Sequence, residues 1–483
     1  MQAASRSSAR EENLLRNFTV AVGLGWALAF PVIALVYQLQ LYADGSMFSY
    51  AIAVQDVWAF HWHNIANRMS VFLLTLWPAE AYVGVTGRPY GGIVIYGLLF
   101  NVAPLVGLAL TFIADRSRDR AIFVFACGST AALGPLVFGF PTEMWMAHAL
   151  FWPALALAHY ARRGLLGAIV LSIAMAALAL THAGGVVLAF VIVATLALHG
   201  LRHLLFVRGA AALVIAMALW VVVKMAYRPD DYFADVLVRA GLHFFDPAIF
   251  QVNLVVLLFV VLAGYGLLFL ALSRVMTVDS ALVAALAVSA IALLIYWLQF
   301  DQWIHASNRY YLRTLLVVIM PIFGVLSAFY AMHADGAQPD CPGLPQIVQS
   351  LNSAAAIRAC TGAIVLLTAI HVVQTAKFVT GWTAYKTAVR MLALGTVSDP
   401  ALGDPRFISS QRISPELNQF SWFSTVEYLS IVLSDFRPER LVVDPAGNYF
   451  WLSCETATEN ANAARAVPAP ARDLVRVYSC LHR

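Results

Sequence analysis

Residues 44–88 read DGSMFSYAIAVQDVWAFHWHNIANRMSVFLLTLWPAEAYVGVTGR. The stretch follows a long apolar run and is too polar to continue it. It carries Asp44, Asp56, His61, His63, Asn64, Asn67, Arg68, Glu80 and Arg88. Two apolar pieces lie within it, at about 48–60 and 69–85. Gln55 and Asp56 interrupt the first; Pro78 and Glu80 interrupt the second. Charged side chains beside a bilayer are costly unless they line a protein cavity or sit in the headgroup layer. The pattern therefore predicts an outer loop with two helices lying along the membrane. Trp58, Trp62, Trp77 and Tyr82 suit such an interface.

The rest of the chain supplies the membrane. Of its 483 residues 61% are hydrophobic and only 12% charged. With a mean hydropathy of +0.77, the composition excludes a soluble globular protein. The net charge of +4 says little by itself, because the location of the basic residues matters more, and no nucleic-acid partner is expected. Lysine occurs only at 224, 377 and 386. The first apolar run is long enough to span and has no small-residue cleavage site after a short core, so it reads as a retained helix.

Arginines set the predicted topology. Residues 1–17 form a polar tail with Arg6, Arg10 and Arg16, which the positive-inside rule keeps in the cytoplasm. A first helix over 18–41 delivers Asp44 to the far side. If 69–85 crossed the membrane, the basic knot at 116–120 would fall outside. With 44–89 as one outer loop, the knot falls inside. The second choice predicts an all-α polytopic protein of eleven spans, the first at 18–41 and the others at 90–114, 121–140, 144–160, 165–181, 184–199, 209–226, 250–272, 280–299, 311–332 and 357–378. The transmembrane domain is then 18–379, multi-pass in a cell (inner) membrane. Residues 380–483 form a small α+β extracytoplasmic tail. It starts with an amphipathic surface helix at 381–395, followed by a helix at 425–436 and strands at 440–444, 448–454 and 474–480.

This topology gathers Asp44, His61, His63, Arg68, Glu143, His182, Asp301, His305 and Arg309 on one side. Such a set suits group transfer onto a hydroxyl. A carboxylate can take the proton of an acceptor OH. Arginine grips phosphate through paired, charge-assisted bonds. Histidine can donate to phosphate or ligate a metal.

A first helix ending in an acidic residue, then a long outer loop with two membrane-parallel helices, resembles the GT-C class of membrane glycosyltransferases. The fragment at 65–70 (IANRMS), the Gly-Arg-Pro at 87–89 and the arginine-rich inner turn fit that layout. The likeness covers roughly 18–330 as architecture and 44–90 as a motif. It implies a donor sugar linked to a polyprenyl phosphate and a catalytic base or metal ligand at Asp44. Many members carry an acidic pair there, whereas here Gly45 follows. A divalent metal therefore stays open as a cofactor. From the outer-side set itself, the candidate substrate contacts are Arg68, Arg309, His61, Glu143 and His182.

Each of these residues also has a plainer role. Asp44 could cap the next helix. Arg68 and Arg88 could anchor in headgroups. His61 and His63, two apart, point different ways on a helix and make poor co-ligands. Glu143 could be an ordinary loop carboxylate, and His182 a buried, satisfied histidine. Cys454 and Cys480 in the outer tail are expected to form a disulfide; Cys127, Cys341 and Cys360 are expected to be free. The alternative function is a non-enzymatic transporter or flippase for a glycolipid. Such a protein should carry charge deep in its spans, whereas these spans are nearly charge-free. The expected partners are a lipid-linked sugar donor and the bilayer; oligomeric state is left open.

Overall fold

A computed structural model of the chain describes residues 2–54, 68–161, 164–226, 253–300, 309–336, 353–395, 407–421 and 425–444. The architecture is an all-α, multi-pass membrane bundle with a small appended tail. In order, α1 is Gln2–Tyr37, α2 Asp44–Val54, α3 Met69–Thr86, α4 Pro89–Ala114, α5 Ala121–Val137, α6 Glu143–Tyr160 and α7 Leu165–Ala179. Then come α8 Ala183–Leu196, α9 Leu204–Ala226, α10 Asn253–Leu272, α11 Val278–Ile295, α12 Arg309–Ala334 and α13 Ala354–Leu394. Among the described residues eight helices are long and apolar enough to cross a membrane. The apolar helices at Ala121–Val137, Leu165–Ala179 and Ala183–His199 are shorter. Every predicted span coincides with a helix.

Small residues let the helices approach closely, as expected where lipid removes most of the hydrophobic drive for association. Gly23 of α1 lies against the backbone of Cys127 on α5, and Gly107 of α4 against that of Ala149 on α6. A Cβ at either position would overlap the partner chain. Between these contacts Phe30, Phe138 and Trp145 pack ring to ring. Large apolar side chains such as Val222, Phe259 and Leu267 are exposed on the outer surface of the bundle, where lipid belongs.

The bundle has two chemically distinct ends. At one, Arg16 pairs with Asp119 at 3.5 Å, the Arg118 amide and the Tyr160 hydroxyl both donate to Asp335, and Arg358 pairs with Glu11 at 2.6 Å. This is the arginine-rich end that the sequence assigns to the inside. The other end holds Asp44, Arg68, Glu143 and His182.

Four elements differ from their expected form. First, α1 is helical from Gln2, because the polar segment has no Gly or Pro to stop the helix. Second, the helix over 69–86 is unbroken. A π-helical turn at Phe72–Leu76 precedes Pro78, which sits in the first turn of the α-helix that follows, where its missing N–H costs little. The resulting helix is itself long enough to span. Arg68 bonds to Glu143, while Tyr82 and Val83 meet Gly91 and Gly92 at the start of α4. Both ends are thus tied to the same end of the bundle. Third, 381–395 is no separate surface helix: α13 runs 41 residues without a break, about 60 Å at 1.5 Å per residue. It far exceeds a hydrocarbon core of about 30 Å, so part of it stands clear of the membrane. Fourth, the tail has a strand, β1 (Phe407–Ser409), that a three-residue apolar signal could not reveal.

In the tail, β1 pairs in parallel with β2 (Leu441–Val443), joined through α14 (Val426–Leu433). The strands expected at 448–454 and 474–480, with Cys454 and Cys480, lie outside the described residues, as do Cys341, Asp301 and His305. The tail is seated on α2 and α13. The Ser46 hydroxyl donates to the Thr425 carbonyl at 3.0 Å, Tyr50 packs on Tyr428, and the Arg440 amide donates to the Ala393 carbonyl.

Glu427 on α14 is buried; one carboxyl oxygen accepts from the Asp444 amide and the other has no hydrogen-bond partner among the described residues. Burial raises its pKa from the ordinary 4.5 to about 7, with the nearby Asp444 charge adding to the rise. The folded value exceeds the unfolded one, so the native tail holds a proton that the unfolded tail releases. Stability from this group is complete below about pH 4.5 and is lost as pH rises through about 7. Proteolysis of the tail should therefore be slower at pH 5 than at pH 8, and Glu427→Gln should flatten that difference. An identical pH profile in the Gln variant would contradict the assignment.

Candidate functional site

The site begins where α1 ends. After Tyr37 the chain turns through Gln38, in the left-handed region at φ 55°, and a short 3-10 turn at Leu39–Leu41. Ala43, at φ 51°, turns it again into α2. Asp44 is the first residue of α2, half-buried, and lies inside the first turn and not at the cap position. A negative charge there still favours the helix dipole, by about 0.3–1 kcal/mol.

Gly45 fixes this geometry. A Cβ at residue 45 would overlap the Gln40 carbonyl oxygen and stand 3.0 Å from the Pro141 ring. No side chain fits at residue 45 without displacing the Gln40 backbone. The obstacle at Gln40 is backbone and cannot swing aside. Gly45→Ala should therefore destabilise the protein by about 1–3 kcal/mol, the usual range for overpacking. A melting temperature equal to wild type would show that the turn has slack.

Arg68 and Glu143 form a buried ion pair between the start of α3 and the start of α6. Their side chains are only 10% and 7% exposed. Glu143 is held in place by its helix. Thr142 caps α6 by accepting from the Met144 amide, and the Trp145 indole donates to the Phe100 carbonyl of α4 at 3.0 Å. Arg68 is steadied by its neighbours, with the Ser70 amide donating to the Leu180 carbonyl at 3.3 Å. The guanidinium Nε has no hydrogen-bond partner among the described residues, so Glu143 does not use all the donors of Arg68.

Three further groups converge here. His182 is half-buried and caps α8, its Nδ1 accepting from the Gly184 amide at 3.1 Å. That bond fixes Nδ1 as an acceptor and leaves Nε2 to carry the ring proton of a neutral imidazole. The buried Tyr96 phenol of α4 is within electrostatic reach of both Asp44 and Glu143. Lys224, in the last turn of α9, is within electrostatic reach of Arg68. Lys224 and Tyr96 complete a cluster that the sequence reading left out. One signal for Lys224 was available, since a rare lysine ending an apolar helix marks the polar layer.

The structure thus joins Arg68 to Glu143 and brings Asp44 and His182 to the same end. It corrects one plainer reading and part of another: Glu143 is a buried helix-start carboxylate, not a loop residue, and His182 is a satisfied histidine as that reading has it, but half-buried at a helix cap and not fully buried. His61 and His63 lie outside the described residues. Arg309 opens α12 as expected, but its side chain lies outside them too. No group of three metal-binding side chains occurs among the described residues. Chemically, the cluster offers the half-buried Asp44 carboxylate and, at the same end, a buried arginine with one donor to spare. No protein-family model matches the chain, and no curated protein matches it.

Proposed function

We propose that the protein is a membrane glycosyltransferase of GT-C-like architecture that moves a sugar from a polyprenyl-phosphate-type donor to an acceptor at this end of the bundle. The observation that supports it is the convergence of Asp44, Arg68, Glu143, His182 and Lys224 at one end of an otherwise apolar bundle. Asp44 takes the proton of the acceptor hydroxyl as the oxygen attacks the anomeric carbon. The bond from that carbon to the donor phosphate breaks, and the phosphate leaves with the electron pair. Arg68, already anchored by Glu143, presents its remaining donors to that phosphate, and Lys224 adds a second positive charge. His182 offers an Nε2 proton to the same oxygens.

In the same reading the arginine-rich end faces the cytoplasm and the eleven helices each cross, with α2 and α3 along the outer surface. The protein is tested by reconstitution with a radiolabelled polyprenyl-phosphate sugar and an extract of membrane acceptors. Label should leave the organic-soluble donor pool. A transporter would move the donor between leaflets with its label still attached, and that result would reject the enzymatic reading.

A further inference from the structure

A second feature lies on the outside of the bundle and shares none of the residues of the Asp44 cluster. Along their lipid-facing sides α1 and α13 diverge to leave a groove of about 560 Å³, within the range of built ligand sites. On α1 it is lined by Gly25, Ala29 and Ile33, and on α13 by Val372, Ala376 and Val379, among others. It extends along α1 from Val22 to Tyr37, about 22 Å at 1.5 Å per residue. That exceeds the roughly 15 Å depth of one hydrocarbon leaflet. The walls are overwhelmingly apolar, so a groove facing lipid holds a hydrocarbon chain, not water.

A cation stands at the mouth. Lys386 of α13 lies six residues beyond Thr380, the last groove residue of that helix. Its ammonium donates to the Tyr37 carbonyl at 2.7 Å and the Gln38 side-chain oxygen at 2.9 Å, and it lies 5.8 Å from the Trp382 ring. All three partners are neutral, and Lys386 has no ion pair among the described residues. One proton of the ammonium is left over. Arg390, one turn further along, is exposed. Asp435 is the acidic group nearby, sharing the surroundings of Tyr90 with Arg390. Among the described residues, two cations against one carboxylate leave the mouth positive. The level is right for a headgroup, since α13 runs past the hydrocarbon core here.

We infer that the groove between α1 and α13 is a binding site for an anionic glycerophospholipid of the bilayer, one acyl chain lying in the groove and its phosphate on Lys386. The site stands on the membrane setting alone and not on the glycosyltransferase reading. None of its residues belongs to the Asp44 cluster. The lipid ties the end of α1 to α13 directly below the turn that carries Asp44.

Native mass spectrometry of the purified full-length protein tests this, using phosphatidylglycerol and phosphatidylcholine as probes. Wild type should retain one phosphatidylglycerol through delipidation, with about five-fold preference over phosphatidylcholine, the effect of one lysine at an anionic surface. Lys386→Gln keeps an amide that can bond the Tyr37 carbonyl but removes the charge, and should abolish the preference. Ala376→Leu fills the groove and should reduce retention of both lipids. Size-exclusion profiles identify any variant that misfolds, and Lys386→Gln carries the test should Ala376→Leu do so. Equal retention of the two lipids by wild type, or an unchanged preference in Lys386→Gln, overturns the proposal. So does displacement of phosphatidylglycerol by equimolar polyprenyl phosphate, which would make the groove a donor site. Loss of a dimer in Ala376→Leu with lipid retention intact would assign the groove to a second copy and equally overturn it.

Discussion

Glu143→Ala is expected to cost about 3–5 kcal/mol of stability, the usual loss when one partner of a buried ion pair is removed. The guanidinium of Arg68 would remain buried at the start of α3 with its counter-charge gone. Lys224, already within reach of Arg68, would then face it with no carboxylate on Arg68 between them. The two cations would have to move apart or draw in water, and either route loosens α3, α6 and α9 together. The pair itself need not be net stabilising, because two desolvated charges roughly offset their mutual attraction. Arg68→Met combined with Glu143→Leu should therefore recover most of the lost stability while leaving no anion grip. Thermal unfolding followed by size exclusion distinguishes these cases. A Glu143→Ala protein as stable as wild type would show that the pair is solvated and weak.

Asp44→Asn should lower transfer by about 10²–10⁴-fold, the range that a general base contributes. The same change should barely affect folding. Asp44 lies inside the first turn of α2, where its charge adds about 0.3–1 kcal/mol through the helix dipole, and the Asn side chain is nearly the same size. The effect on rate and the effect on stability therefore separate. If Asp44 served only the helix, Asn would leave transfer near wild type. If it served both, the rate would collapse while the melting temperature moved little.

Much of the helix framework was legible because hydropathy reports what lipid demands. Apolar runs bounded by Arg6 to Arg16, Arg116 to Arg120 and Arg202 to Arg208 mark spans and their polar ends. The clustering of Asp44, Arg68, Glu143 and His182 followed from counting those spans. What did not follow was pairing. Arg68 and Glu143 are 75 residues apart, and which carboxylate neutralises which arginine depends on how α3 and α6 are tilted. Lys224 entered the cluster for the same reason: its helix ends at the right depth, but its neighbours are fixed by packing. Local chemistry also misled where backbone geometry compensated. Pro78 signalled a break, yet a π-helical turn just before it lets the helix continue. The fall in hydropathy after 378 suggested the end of a span, yet α13 runs on without a break through the buried Gly381. Gly45, read as a missing carboxylate, is a steric necessity imposed by Gln40 and Pro141.

If Asp44 is the base of a sugar transfer, its carboxylate is needed for the chemistry and not for the fold. The most direct measurement compares wild type and Asp44→Asn in proteoliposomes loaded with a radiolabelled polyprenyl-phosphate sugar and membrane acceptors. Both proteins are first matched for melting temperature. Wild type should move label from donor to acceptor, and the Asn variant, equally folded, should leave it on the donor. Equal transfer by the two proteins would contradict that role for Asp44.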